Sequence, residues 1–212
     1  MTEIVLYDYW RSSASYRVRI ALRTLALAYD TVPIDLVASA HKDPDYLRIN
    51  PQGLVPSLSI DGHTLTQSLA IIEYLAETRP EGGFLPDTVF GRQRVRALSY
   101  SIAMDVHPIC NLNVVSHVAR LTGDEGARRE WTIKFINSGL SALEQMLDEP
   151  TTGRFCYGDT PTMADFCLVP QVYNARRWGI EMSAFPRVAG IADQCNMLPE
   201  FKAAHPDAVK QM

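Results

Sequence analysis

Two short apolar runs, IVLYDY at 4–9 and YDTVPI at 29–34, flank a stretch in which Val18, Ala21, Leu22 and Leu25 recur at helical spacing. A strand, a helix and a strand in this order form a βαβ unit, which favours a parallel strand pair joined by a right-handed crossover. After a polar stretch from Ala38 to Gly53, LVPSLSI and HTLTQ lie on either side of Asp61-Gly62, a strong two-residue hairpin signal. A further helix is predicted after them, with Leu65, Leu69, Ile72 and Ala76 on one face and Gln67-Ser68 at its start. The proline- and glycine-rich TRPEGGFLPD ends the pattern and reads as a linker.

Beyond the linker the rhythm is helical. Val95, Leu98, Ile102, Val106 and Ile109 trace one stripe, with Pro108 expected to bend that helix. A second helix is predicted from about Glu125 to Asp148 with Ile133, Ile136, Leu140, Leu143 and Leu147 inward, and Thr162-Met-Ala-Asp165 has the form of a capping box ahead of FCLVP. The expected organisation is β-α-β then β-β-α over 1–80, a linker over 81–90, and an all-α domain over 91–212.

Composition narrows the function classes. The chain has 212 residues, 47% of them hydrophobic, enough to bury a proper core. A formal charge of −4, from 24 acidic and 20 basic residues, gives no cationic field for nucleic acid or an anionic membrane. No run approaches the roughly 20 apolar residues of a membrane span, and MTEIVLYDY lacks the features of a signal peptide, so a cytoplasmic location is expected. Cys110, Cys156, Cys167 and Cys195 form no CxxC pair and read as packed, reduced thiols. The histidines at 41, 63, 107, 117 and 205 are scattered, and no metal site is predicted. Phosphate-loop, dinucleotide, hydrolase-elbow and zincin motifs do not occur.

The chemistry is concentrated in the turn after the first strand. Ser12, Ser13 and Ser15 precede or open a helix carrying Arg17 and Arg19. A helix start offers unpaired amides and about half a positive charge, which stabilise an anion such as a thiolate. The competing reading is that Ser12 or Ser13 merely caps the helix and that the arginines form a solvated face. Val55-Pro56 opens a strand in a position suited to a cis peptide, which would present the Val55 main chain to an outside peptide. Gln67 and Ser68 start a second helix suited to an amino-acid head group with a carboxylate. Together these features describe a slot for a short thiol peptide, and glutathione is one.

The runs SSASYRVRIAL, NPQGLVPSL, TQSLAIIEYL, HPICNLNVV and GDTPTMADFCLVPQV closely resemble the zeta-class glutathione transferases, the group that includes the maleylacetoacetate isomerases. The resemblance spans the chain and implies a thioredoxin-like N-terminal domain, an all-helical C-terminal domain and a homodimer. It implies that Ser12 holds the glutathione thiolate, with Ser13 and Ser15 completing the turn. Val55 would pair with the cysteinyl part, Gln67 and Ser68 with the γ-glutamyl part, and His41 with the glycine end. His107, Asn111 and Asn113 match positions lining the site, His107 and Asn111 being one helical turn apart, although the family often has glutamine where His107 stands. The family's turn commonly reads SSCS, and Ala14 replaces that cysteine.

The reaction the resemblance implies is cis-to-trans isomerisation of a maleyl diacid to its fumaryl form, by reversible addition of a thiolate to the conjugated double bond. Arg11 at the turn and Arg176, beside Arg177, are the candidate clamps for substrate carboxylates, and only one of the adjacent pair is expected to face a site. The alternatives are a maleylpyruvate isomerase, a zeta-type transferase acting on α-halo acids, and a non-catalytic interaction module.

Overall fold

A computed structural model describes residues 4–210. It divides into two compact units, one taking the chain up to Phe84 together with the stretch from Met197 on, the other running Leu85–Asn196. The expected division, which gave all of 91–212 to the helical domain, is corrected at its C-terminal end. The cause is packing: Phe201 and Ala204 are fully buried, and the Ala204 carbonyl accepts a hydrogen bond from Arg19 Nε at 3.0 Å.

The first unit runs β1 (Val5–Asp8), α1 (Ser13–Thr24), β2 (Asp30–Pro33), α2 (Pro44–Ile49), β3 (Ser57–Ile60), β4 (His63–Thr66) and α3 (Ser68–Thr78). Its sheet has the order β2-β1-β3-β4, with β1 and β2 parallel and the other neighbours antiparallel. This is the thioredoxin-like arrangement. Asp61 and Gly62 both have positive φ, 53° and 81°, as a two-residue hairpin of primed type requires. Leu6, Leu58 and Ile60 of the sheet are buried with Val18, Ala21 and Leu22 of α1 and with Ile71, Ile72 and Leu75 of α3. Leu65, expected on the α3 face, instead belongs to β4.

Arg17 and Arg19 do not form a solvated face: both are at most 2% exposed. Arg19 meets both oxygens of Asp8, at 2.7 and 2.8 Å, and also donates to the Trp10 carbonyl at 2.9 Å. A buried guanidinium with this many acceptors fixes the end of β1 against α1.

The second unit contains α4 (Val89–Tyr100), α5 (Leu112–Thr122), α6 (Gly126–Met146), α7 (Met163–Arg177) and most of α8 (Pro186–Met197). The stripe Val95, Leu98, Ile102 and Val106 is buried as its spacing predicts. The single helix bent at Pro108 is not what forms. After α4 the chain widens into a π-helical turn, Ser101–Val106, Pro108 opens a separate 3-10 turn, and Asn111 is extended at ψ 151° before α5. Proline has no amide to continue a helix, and the last amide before it, of His107, reaches five residues back to Ile102. Opposite the π turn stands Gly139 of α6, where any Cβ would collide with Val106 Cγ2. In α6 the inward residues are Thr132, Ile136, Leu140 and Leu143; Ile133 is only half-buried, and Thr132 is tolerated inside because its hydroxyl donates to the Arg128 carbonyl.

Helix α7 begins with the Thr162–Asp165 capping box. Burial raises the Asp165 carboxyl pKa, while the Cys156 and Thr162 amides donating to it act in the opposite direction. The chain then returns to the first unit through α9 (Pro199–Ala204) and α10 (Pro206–Val209).

Candidate active site

The strand register gathers the predicted glutathione residues of the first unit at one edge of its sheet. Tyr7 of β1 pairs with Ser57 of β3, and Ser57 with Thr66 of β4, while Asp8 pairs with Pro33 of β2. The end of β1 leading to Ser12, the end of β2 leading to His41, the start of β3 after Val55 and the end of β4 before Gln67 therefore share that edge. Ligand sites collect at the ends of strands in such sheets because loops from several elements converge there.

Ser12 is the N-cap of α1, its Oγ accepting from the Ser15 amide at 3.2 Å. The capping reading is thus correct, and it does not exclude the other. A hydroxyl has one proton and two lone pairs, so a capping oxygen still has its proton to donate. Ser13 and Ala14, in the first turn, have amides with no carbonyl a turn earlier to meet. Ser13 is half-buried, whereas Ser15 is fully buried and its hydroxyl has no hydrogen-bond partner. Ser15 therefore contributes a capped amide to the turn, not an open hydroxyl.

Val55-Pro56 is cis, and among the described residues neither the N–H nor the C=O of Val55 is hydrogen-bonded. The preceding Leu54 carbonyl is pinned by the Tyr46 hydroxyl at 2.6 Å and by Asn50 Nδ2 at 2.7 Å, which holds the loop in place. Gln67 precedes α3 with φ 67°, and its side-chain amide reaches Gln52 Oε1 at 2.8 Å instead of capping the helix. Ser68 is buried and accepts from Arg17 Nη1 at 3.2 Å. His41 sits in a 3-10 turn, its Nδ1 shielded and without a partner; burial foremost, then the Lys42 charge, holds its pKa below the ordinary value. Arg11 lies over the Trp10 ring at 5.3 Å and donates to the Tyr9 hydroxyl at 3.5 Å.

The sequence reading missed the supports: Tyr46 and Asn50 under Leu54, Gln52 beside Gln67, and the Arg17–Ser68 bond. Asp43-Pro44 was the available signal for α2, which carries Tyr46, since proline favours the first position of a helix.

In the second unit, His107 lies between the π turn and the 3-10 turn, and Asn111 caps α5 by accepting from the Leu112 amide at 3.0 Å. They do not share a helix face, because the helix expected to carry both is broken between them. Asn113 is exposed in the first turn of α5. Arg176 is engaged with Asp193 at 2.9 Å, and Arg177 lies over the Tyr173 ring. A cavity of about 720 Å³ in this unit contains none of the predicted residues, and its Arg187 is already paired with Glu144 and Asp148. A smaller one of about 390 Å³ in the first unit lies beside the turn, between Trp10, Ile34 and Val209.

Residues 2–77 match the glutathione S-transferase N-terminal domain and residues 127–193 the glutathione S-transferase C-terminal domain. The chain is 63% identical, over 98% of each sequence, to a maleylacetoacetate isomerase of Rhizobium meliloti strain 1021. This chain belongs to the zeta-class glutathione S-transferases. It is similar to a holo maleylpyruvate isomerase, described as a bacterial zeta-class enzyme, at a TM-score of 0.93 and 39% identity over 96% of this chain and 97% of the other. A maleylacetoacetate isomerase of Methylobacterium extorquens AM1, solved with malonate and glutathione, matches with the same score and identity over 97% and 98%.

Proposed function

We propose that this zeta-class chain is a glutathione-dependent cis-trans isomerase that converts maleylacetoacetate to fumarylacetoacetate, working as a cytoplasmic homodimer. The observation that carries the reading is the 63% full-length identity to an isomerase of that name. The residues at the sheet edge fit glutathione: unpaired helix amides beside a hydroxyl for the thiolate, the open main chain of Val55 for the cysteinyl part, and Gln67-Ser68 at a helix start for the γ-glutamyl carboxylate. Bound glutathione supplies a nucleophilic sulfur that adds reversibly to the conjugated double bond, so that rotation about the resulting single bond and loss of the sulfur give the trans diacid.

The protein's part is to lower the thiol pKa from about 8.5 toward neutrality, through the Ser12 proton and the positive end of α1. Ala14 supplies only its amide, so the turn offers no thiol of its own. Arg11, at the turn beside Ser12, is assigned to one substrate carboxylate. Arg176 is assigned to the other, in exchange for Asp193. His41 is assigned to the glycine end, and His107, Asn111 and Asn113 keep the site-lining roles that the family resemblance implies. The exposed apolar pair Val89 and Phe90 at the start of α4 is in keeping with a dimer, which sedimentation of the purified protein tests.

Maleylpyruvate is the second reading, because a maleylpyruvate isomerase and a maleylacetoacetate isomerase match this chain with the same TM-score of 0.93 and the same 39% identity. Each diacid is to be given to the purified protein with and without glutathione, following loss of the cis enol by absorbance. Turnover that requires glutathione without using it up supports the isomerase, and the larger kcat/KM names the substrate. Failure of both diacids in a protein that binds glutathione would overturn the reading and turn attention to halide release from α-halo acids.

A further inference from the structure

We infer that Arg17 is a positioning residue for the γ-glutamyl α-carboxylate, acting through Ser68; this rests on the glutathione site proposed above. Arg17 is on α1, on the far side of the turn from Ser12, yet its guanidinium reaches across 51 residues of sequence to Ser68 Oγ at the first residue of α3. Both side chains are buried, Arg17 to 2% exposure and Ser68 to 6%. A guanidinium in such a place is expensive to desolvate, and an apolar residue of the same length would pack α1 against α3 at least as well. What an apolar residue cannot do is place a fixed positive charge beneath the start of α3.

The hydrogen-bond inventory makes the effect directional. Arg17 has only protons to give, so it occupies a lone pair of Ser68 Oγ. The single Ser68 proton is thereby left to point away from Arg17. At the start of α3 the free amides already favour an anion. Ser68 relays the Arg17 charge to the same place, where the α-carboxylate of the γ-glutamyl residue lies in the proposed site. Gln67, held at φ 67° and tied to Gln52, keeps the main chain open there. The buried Arg17–Ser68 bond thus links α1 to the start of α3.

The test is titration calorimetry of glutathione and of its analogue lacking only the γ-glutamyl α-carboxylate, with wild type, Arg17→Met, Arg17→Lys, Ser68→Ala and the Arg17→Met/Ser68→Ala double variant. Arg17→Met is expected to weaken glutathione tenfold or more while changing the analogue by less than twofold. Ser68→Ala should show the same selectivity, and the double variant should lose little more than either alone, because the two act in series. Arg17→Lys, which keeps charge but not the fork, is expected to fall between and carries the test if Arg17→Met does not fold. Equal losses for both ligands would mark Arg17 as purely structural and overturn the inference while leaving the glutathione site standing. No binding of glutathione by the wild type would overturn the proposed function and the inference with it.

Discussion

At the scale of single residues, two serines three positions apart have opposite consequences. Ser12 is the helix cap and the proposed thiolate donor, so Ser12→Ala is expected to lower kcat/KM by about 10²-fold, in the range found for removing one donor from a developing anion. Stopped-flow assay with glutathione saturating separates this from weaker binding. Ser15 carries a buried hydroxyl with nothing to bond, so Ser15→Ala removes an unmet polar group and introduces the best helix former. It is expected to stabilise the fold by about 1 kcal/mol, read as a rise in thermal midpoint; a fall would show that this hydroxyl has a role. His41 gives a pH prediction. Burial foremost, then the Lys42 charge, disfavours its charged form and holds its pKa below the ordinary value in the free protein. A carboxylate placed beside it favours the charged form and raises the pKa, so glutathione binding near pH 6 should take up protons. Calorimetry in two buffers of different ionisation enthalpy measures that uptake, and His41→Asn should abolish it.

At the scale of elements, the break between α4 and α5 depends on a glycine. Gly139→Ala is expected to destabilise the protein by about 1–3 kcal/mol, through overpacking of Val106 against α6, and Val106→Ala in the same chain should restore part of the loss. Denaturant unfolding of the three variants decides it. This break also marks where sequence reading ran out. Apolar spacing located β1, α1 and most of α6, because each buries one regular face; β2, exposed at all four residues, was placed by its short apolar run and the hairpin by the Asp61-Gly62 turn. It failed from 101 to 122, where buried Ile102 and Val106 continue the α4 stripe while the backbone hydrogen bonds have already widened. Periodicity reports which side chains face inward and is insensitive to one residue of register. Likewise Arg17 and Arg19 read as solvated because nothing local announced Asp8 or Ser68, respectively 11 and 51 residues away. The placement of the turn serines, Val55-Pro56 and Gln67-Ser68 at the starts of elements was legible because serine and proline have marked preferences there.

At the scale of the molecule, the first unit is made from two separated pieces of chain. Residues 1–84 alone would lack Phe201, Ala204 and the carbonyl that Arg19 Nε meets, leaving an apolar face of α1 open and a buried cation short of one acceptor. That fragment is expected to stay largely unfolded by circular dichroism and to gain sheet signal when residues 197–212 are fused to it through a flexible linker. A cooperatively folded 1–84 would contradict the division described above. Vectorial synthesis adds a temporal meaning to the same arrangement. Residues that complete α1's packing leave the ribosome only after the whole of 85–196, at roughly 5–20 residues per second. The unit that opens with β1 is therefore completed only after 85–196 has been made, and the proposed glutathione site waits for the helical unit to be synthesised.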